Sequence, residues 1–346
     1  MPEEPDRPPA ALASVTAIVA TRNRRHKLEH CLRALASQDE LTQLVVVDDG
    51  SEDGTFELAS ELAATDERIV AERIPHEGKA AALQAGLASA RSEVILLVDD
   101  DVIAGPGLVR GHAAYHSRRA DLVVVGYMPC VRSEPFAGDR FLTDLYAREY
   151  EAHCLRLEAD PGLVLRCLWG GNVSLRREHC ERVNFVPWRL AHEDQDFGLR
   201  CLRHGLTGVF DRTLHAEHRH ERDLSQFLHA AREQGAARYY LAARYGAFVD
   251  SLPEWQPLDG LGAASSLLVR GLGRERVHGL AEQFLLLTAQ VAERAHLPVL
   301  TANAKRLARR IALQSGYSLA QAAGSLAGPE YRLDELRRLV AAGAAS

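Results

Sequence analysis

Short apolar runs alternate with helix-spaced stretches along the first part of this chain. Val15–Ala20 reads as a strand and is followed by the polar turn TRNRR. His26–Ser37 sets Leu28, Cys31, Leu32 and Leu35 on one helical face. Leu44–Val47 is a second buried strand, closed by Asp48 and Asp49, and GSEDGT then turns the chain into a helix from Thr55 to Ala64. Ile69–Glu72 predicts a third strand, Lys79–Ala90 an Ala-rich helix after Gly78, Val94–Val98 a fourth strand and Asp121–Gly126 another. This repeating β-α pattern predicts an α/β fold built on a doubly wound parallel sheet. Right-handed crossovers would put the segments after Ala20, Val47 and Val98 at one edge of it.

Further along, the pattern changes. Phe136–Leu157 reads as an aromatic-bearing helix, Cys167–Leu175 as a short strand interrupted by Gly170 and Gly171, and His192–His204 as a helix with acids at its start. Leu206–Phe210 reads as a short strand, HAEHRHE (215–221) as a histidine-rich tract, and Leu224–Tyr245 as a helix. The stretch SLPEWQPLDGLG (251–262) carries turn signals and reads as a linker or loop. Beyond it, His278–Ala295 is amphipathic, with Leu280, Phe284, Leu287 and Val291 on one side, and Val299–Gln314 and Leu319–Ala327 continue in helical style. The expected organisation is a tail over 1–12, an α/β domain over 13–250 and a helical region over 251–346.

Composition narrows the function classes. With 47% hydrophobic and 25% charged residues, the 346-residue chain has an ordinary globular make-up. A net charge of −6 gives no argument for a nucleic-acid partner. No apolar segment reaches the length of a membrane span. The start, MPEEPDRPPA, lacks the basic beginning and apolar core of a secretory signal and is expected to be disordered. Six scattered cysteines without a CxxC pair read as free thiols in a reducing, cytoplasmic setting. The basic residues Lys305, Arg306, Arg309 and Arg310 read as a solvated helix face, with peripheral contact at an anionic membrane as the alternative.

The candidate chemistry gathers around SEVILLVDDDV. A buried strand ends in Asp99, Asp100 and Asp101 at the edge where open α/β sheets bind ligands. Adjacent carboxylates at close range raise one another's pKa or call for a cation. Hard oxygen ligands suit Mg²⁺ or Mn²⁺ together with a substrate phosphate. A metal-bound diphosphate is the expectation from the residues alone. Lys79 opens a helix, where a cation is unfavourable unless an anion joins it. Gly170 and Gly171 read either as a bulge or as a close approach to ligand. Trp169 reads either as a platform for a ligand ring or as core. The tract His215, His218, His220 reads either as a metal tract or as a solvated loop.

Taken together, DDGSEDGT, GKAAALQAGLASA, LVDDDV, GGN and HED resemble the family 2 glycosyltransferases over roughly residues 13–245. The resemblance implies a GT-A fold, with a mostly parallel sheet flanked by helices, here with a helical C-terminal extension. It implies a metal-dependent, inverting transfer from a nucleoside diphosphate sugar, expected to be UDP-linked, to an acceptor hydroxyl. Asp48 and Asp49 would lie at the base, Thr21, Arg22 and Asp100 at the nucleotide, and Lys79 at the base or diphosphate. Asp101 would ligate Mn²⁺ or Mg²⁺, with Asp99 supporting the ribose or the metal and His218 or His220 completing the site. Trp169, Gly170, Gly171, Asn172, His192 and Glu193 would lie on the acceptor side. Asp194 would be the general base, with Asp196 in reserve. The acceptor, whether glycan, protein or small natural product, is not readable. The C-terminal helices would supply an acceptor surface, a lid or a homodimer contact.

Rival readings follow from departures. A sugar-nucleotide pyrophosphorylase would carry a Gly-rich loop after the first strand, where this chain reads ATRNRRHK. A processive synthase would carry a QxxRW motif, which does not precede Arg309, Arg310 and Ile311. A non-catalytic sugar-nucleotide-binding protein would have no need of both Asp101 and Asp194.

Overall fold

The computed structural model describes residues 12–132, 138–186, 191–221, 223–246, 249, 252, 263–273 and 277–326. The expected N-terminal tail and the 251–262 linker lie almost wholly outside these residues. The chain divides into two compact units. One takes in Met1–Phe136, Leu145–Trp188 and Asp194–His220; the other takes in Ala137–Asp144, Arg189–Glu193 and Glu221–Ser346. The helix Leu224–Tyr245, which the sequence pattern grouped with the α/β domain, therefore counts with the second unit.

The first unit is built on β1 (Val15–Thr21), β2 (Leu41–Asp49), β3 (Ile69–Ile74), β4 (Val94–Val98), β5 (Val102–Ala104), β6 (Leu122–Tyr127), β7 (Asn172–Arg176) and β8 (Thr207–His218). They form one sheet in the order β3-β2-β1-β4-β7-β6-β8-β5. β3, β2, β1 and β4 run parallel, as their Val- and Ile-rich runs predict for strands buried on both faces. Helices α1 (Arg25–Ala36), α2 (Thr55–Ala63), α3 (Lys79–Ser89), α4 (Leu108–Arg118), α5 (Arg140–Ala159), α6 (Arg177–Val183) and α7 (Glu193–Arg203) complete the layers. Strand alternation splits the core in two. Ala17, Val19, Val46 and Leu96 join Leu28, Cys31, Leu32 and Leu35 of α1 on one face. Ile18, Val45, Val47 and Ile95 join Ala82 and Leu87 of α3 on the other.

The sheet departs from the expected parallel run at two places. β7 is antiparallel to both β4 and β6, and β5 is antiparallel to β8. The predicted strand over Cys167–Leu175 begins only at Asn172, after the two glycines, and the predicted strand over Leu206–Phe210 continues to His218. β5 and α4 follow the aspartate triad directly, where no element was expected.

The second unit contains α8 (Leu224–Tyr245), α9 (Ala263–Leu272), α10 (His278–Arg294) and α11 (Pro298–Leu326). Asp223 opens α8 with a capping box closed by Gln226. Leu228 and Ala231 of α8 pack on Ala308, Ala312 and Leu313 of α11. The two helical stretches expected after Val299 are one continuous helix, α11. The basic tract on α11 is solvated only in part, with Arg306 exposed, Arg309 and Arg310 half-buried and Lys305 turned inward. Lys305 is 2% exposed and pairs with Asp139, and the guanidinium groups of Arg306 and Arg309 lie over the rings of Phe141 and Phe227. The amphipathic side expected of α10 exists, but Leu280, Phe284, Leu287 and Val291 face outward. No described helix is long and apolar enough to cross a membrane.

Candidate active site

Register brings the acids together. Ala20 pairs with Val47 and Thr21 with Asp48 across β1 and β2, while Ile18 pairs with Leu97 across β1 and β4. The segments after these three strands therefore emerge side by side. Their turns are tied to each other, with the Asn23 N–H donating to Ser51 Oγ at 2.8 Å and the Glu52 N–H to Asn23 Oδ1 at 2.9 Å. The antiparallel entry of β7 sets Asn172 opposite Val98, so the Gly170–Gly171 pair arrives at the aspartate triad. β5 pairs Val102 with His218, which carries the end of β8 to Asp101. Period-2 alternation along β8 turns Leu214, Ala216 and His218 inward and His215 outward.

Three groups of contacts result. In the first, Asp101, His218 and His220 each offer a ligand atom, and these atoms lie within 4.8 Å of one another. His218 Nε2 is 3.2 Å from Asp101 Oδ1. Tyr146 of α5 stands behind both histidines, stacked on the His220 ring at 4.1 Å between centroids, with its hydroxyl 3.3 Å from His218 Nδ1. Burial pushes the Asp101 carboxyl up, but the His218 hydrogen bond and charge, with Lys27 and Arg24, hold it well below the usual range. Burial and the neighbouring Asp101 push Asp100 up to about 6, although the Thr21 hydroxyl donates to it at 2.8 Å.

In the second group, Lys79 Nζ donates to Asp99 Oδ1 at 2.9 Å. This satisfies the cation at the start of α3 with a carboxylate of the triad. Asp99 is thus engaged with Lys79 rather than gathered with Asp101 and the histidines. In the third group, Asp194 is half-buried and accepts the Gly170 N–H at 3.0 Å. Burial raises its pKa; Lys79 and the Gly170 N–H oppose the shift, and Asp99 adds to it. The two glycines are explained by these carboxylates. A Cβ at Gly170 would meet the Asp194 carboxyl at 2.6 Å, and one at Gly171, where φ is +103°, would meet Asp99 Oδ2 at 2.8 Å.

The remaining sequence-picked residues take up supporting positions. Asp49 gives both oxygens to the loop before α3, accepting from the Glu77 and Gly78 N–H groups and lying 2.8 Å from His76 Nδ1. Asp48 is buried, accepts the Ser51 N–H at 3.0 Å and lies 3.3 Å from Arg73 Nε. Arg22 is exposed on the β1–α1 turn. Asn172 donates to the Leu214 carbonyl and sits 2.9 Å from His112 Nε2, inside a buried network with Ser174 and His116. Trp169 packs against Tyr146, Tyr150 and His153, half-buried. Asp196 is held by Arg200 at 2.8 Å inside α7. Glu193 opens α7, and His192 is half-buried with φ +66° in the second unit, where desolvation, Arg238 and Arg309 push its pKa down to about 3.

Arg24, Lys27 and Tyr146 escaped the sequence reading. Lys27 is buried on α1 and donates to the Arg219 carbonyl at 2.8 Å. The available signal was its position next to Leu28 and four residues before Cys31, on the apolar face. No comparable local signal marks Tyr146, whose partners come from the far end of β8.

The parallel half-sheet carrying acids at its edge, joined by an antiparallel strand, is a GT-A fold. A mannosyltransferase of Pyrobaculum calidifontis, PcManGT, solved with GDP-Man and Mn²⁺, shares this fold. It aligns with a TM-score of 0.53 at 20% identity over 97% of this chain and 81% of its own. Residues 16–183 match Glycosyl transferase family 2, and this segment of the chain belongs to that family. Two Bacillus subtilis proteins are similar in sequence. The uncharacterized glycosyltransferase YfnE is 30% identical over 113 residues, 32% of this chain and 29% of its own length. The putative glycosyltransferase EpsH is 28% identical over 193 residues, 54% of this chain and 55% of its own length. The chain thus spans about half or less of the curated relatives it matches.

Proposed function

We propose that this protein is a metal-dependent inverting glycosyltransferase, moving a sugar from a nucleoside diphosphate sugar to an acceptor hydroxyl with Asp194 as general base. The observation that carries this reading is the setting of Asp194. A carboxylate lifted in pKa by burial, yet aimed by one N–H, suits proton abstraction near neutral pH. The acceptor oxygen bonds to the anomeric carbon as the bond from that carbon to the diphosphate oxygen breaks. The acceptor proton passes to Asp194, and the nucleoside diphosphate departs. The Lys79–Asp99 pair stands beside the base and gives the donor's charged groups a cation and a carboxylate to meet.

The residues fit a divalent cation. One carboxylate held ionised and two imidazoles within 4.8 Å form a donor set in which imidazole favours Mn²⁺ over Mg²⁺. When bound there, the ion would offset charge developing on the departing phosphate oxygens. Asp101 is the ligand from the triad, in the place of the DxD motif, and His218 and His220 complete the set. Thr21, Arg22, Asp48, Asp49 and Asp100 form the nucleotide side, and Trp169, Gly170, Gly171, Asn172, His192 and Glu193 the acceptor side. The resemblance favours UDP, while the Pyrobaculum protein was solved with GDP-Man, so both bases belong in the test. The acceptor is a hydroxyl of a glycan, a protein or a small natural product. The free cysteines support a cytoplasmic setting.

The test is a thermal-shift and calorimetry panel of UDP, GDP, TDP and CDP sugars, with and without Mn²⁺, on the wild type and on Asp101→Ala. A Mn²⁺-dependent rise in melting temperature with one base, absent in the variant, is expected. Equal shifts in both proteins would remove the metal-bound donor. Donor binding without transfer or hydrolysis would favour a non-catalytic sugar-nucleotide-binding protein.

A further inference from the structure

Helix α10 turns a polar pair inward and an apolar stripe outward, while Leu285 and Leu286 pack partly against the core of the unit. His278 and Glu282 are buried together with Ala289 and Ala292, and Glu282 forms an ion pair with Arg232. On the opposite side, Leu280 is 69% exposed, Phe284 68%, Leu287 59% and Val291 57%. The ion pair and the buried alanines fix the rotation of the helix, so this apolar side faces outward by construction. An apolar stripe of this size on a helix is rarely left in water.

We propose that α10 is the seam of a homodimer, in which it packs against α10 of a second copy of this chain. Val277, Leu280, Phe284, Leu287 and Val291 follow one another in steps of three and four, the spacing of a two-helix seam rather than of a broad apolar face. From Leu280 to Val291 the positions flanking that seam are Ala281, Gln283, Thr288 and Gln290, all uncharged, with Arg276 and Arg294 only at its ends. A surface that meets its own copy sets every flanking charge against its like, and neutral flanks remove that repulsion. A helix lying on an anionic membrane would instead border its apolar face with lysine or arginine. None lies between Val277 and Glu293. The exposed Leu297, Val299 and Leu300 extend the apolar area beyond the C-terminal end of α10.

The test is sedimentation velocity and light scattering on the full chain across a concentration series. The expected species has twice the 38.0 kDa mass of one chain. Phe284→Glu and Leu280→Glu each weaken association by about 30-fold or more, the scale of losing one interface hot spot. Phe284→Leu keeps the dimer, and so does Leu155→Glu, which charges an exposed leucine outside the seam. Far-ultraviolet circular dichroism confirms that each variant is folded, and these exposed positions tolerate the change. A monomer at every concentration overturns the proposal, as does an assembly of three or more chains or a dimer indifferent to both glutamates. Two further assays show what covers the seam in a monomer. Flotation with phosphatidylcholine–phosphatidylglycerol vesicles, lost in Phe284→Glu, would assign it to lipid. Faster proteolysis within 327–346 in Phe284→Glu would assign it to the chain's own end.

Discussion

Replacing Gly170 by alanine should disable the base without emptying the donor site. The added Cβ would lie 2.6 Å from Asp194 Cγ and Oδ1, where ordinary contact begins at 3.4 Å. The carboxylate must retreat by about 0.8 Å, the difference between those distances, or the β7 entry must move. Either shift stretches the Gly170 N–H bond, now 3.0 Å, that aims Asp194. A displacement near 1 Å at a reacting group costs about 100-fold in rate, or about 3 kcal/mol of barrier. The atoms nearest the added Cβ all belong to Asp194, so donor affinity stays within about twofold while kcat falls, as expected when only a transition-state contact is lost. Weakening the N–H contact also removes one of the influences holding the Asp194 pKa down, so the acid limb of the rate profile moves to higher pH. The assay is release of nucleoside diphosphate under saturating donor and Mn²⁺, paired with calorimetric donor titration. Asp194→Asn sets the floor, with a loss of about 100-fold to 10,000-fold. A Gly170→Ala enzyme with wild-type kcat would refute the reasoning, as would one whose kcat holds while donor binding collapses.

Lys79→Met should shift the acid limb of kcat/KM upward in pH, because Lys79 is the cation that lowers the Asp194 pKa and it also neutralises Asp99; an unmoved limb counts against that coupling. His218→Ala and His220→Ala should each weaken Mn²⁺ binding, and Tyr146→Ala should do so by about tenfold through the loosened imidazoles, all read from free Mn²⁺ by electron paramagnetic resonance; unchanged binding in both histidine variants would remove them from the donor set. Burial drives His112 and His153 down to about 4 and His116 down to about 3, from an ordinary 6.5. These groups stay neutral when folded, so their stability contribution is complete above pH 6.5 and is lost as pH falls toward 4, by up to about 1.4 kcal/mol per pH unit for each histidine. Urea titrations between these values should show the slope, and His112→Asn should lessen it; a flat profile would contradict neutral histidines beneath Asn172.

Several features were already determined by local sequence. Runs such as VTAIVA, LVVVDD and VILLVDDD bury both faces of a parallel strand and end in acids, so a buried sheet with a carboxylate edge follows from composition and spacing alone. The same holds for the four α1 positions that pack on it, whereas Asp101 and Asp194, the two acids on which the proposed chemistry rests, were picked out by the resemblance to family 2 glycosyltransferases. Tertiary pairing decided the rest. Nothing in CLWGGNVSL announces that its strand enters antiparallel between β4 and β6. That entry seats Gly170 and Gly171 against two carboxylates, and the space beside those residues exists only once Asp99 and Asp194 have converged. The histidine tract reads equally well as loop until β5 pairs with β8 and strand parity turns His218 inward and His215 outward. Lys305 and the apolar stripe of α10 point opposite ways from what amphipathicity suggests, one into the unit and the other out of it, because Asp139 and Arg232 supply partners from elsewhere in the chain. Periodicity describes one element's own faces. Which face turns inward is set by the long-range partners that meet it, and those contacts exist only in the folded chain.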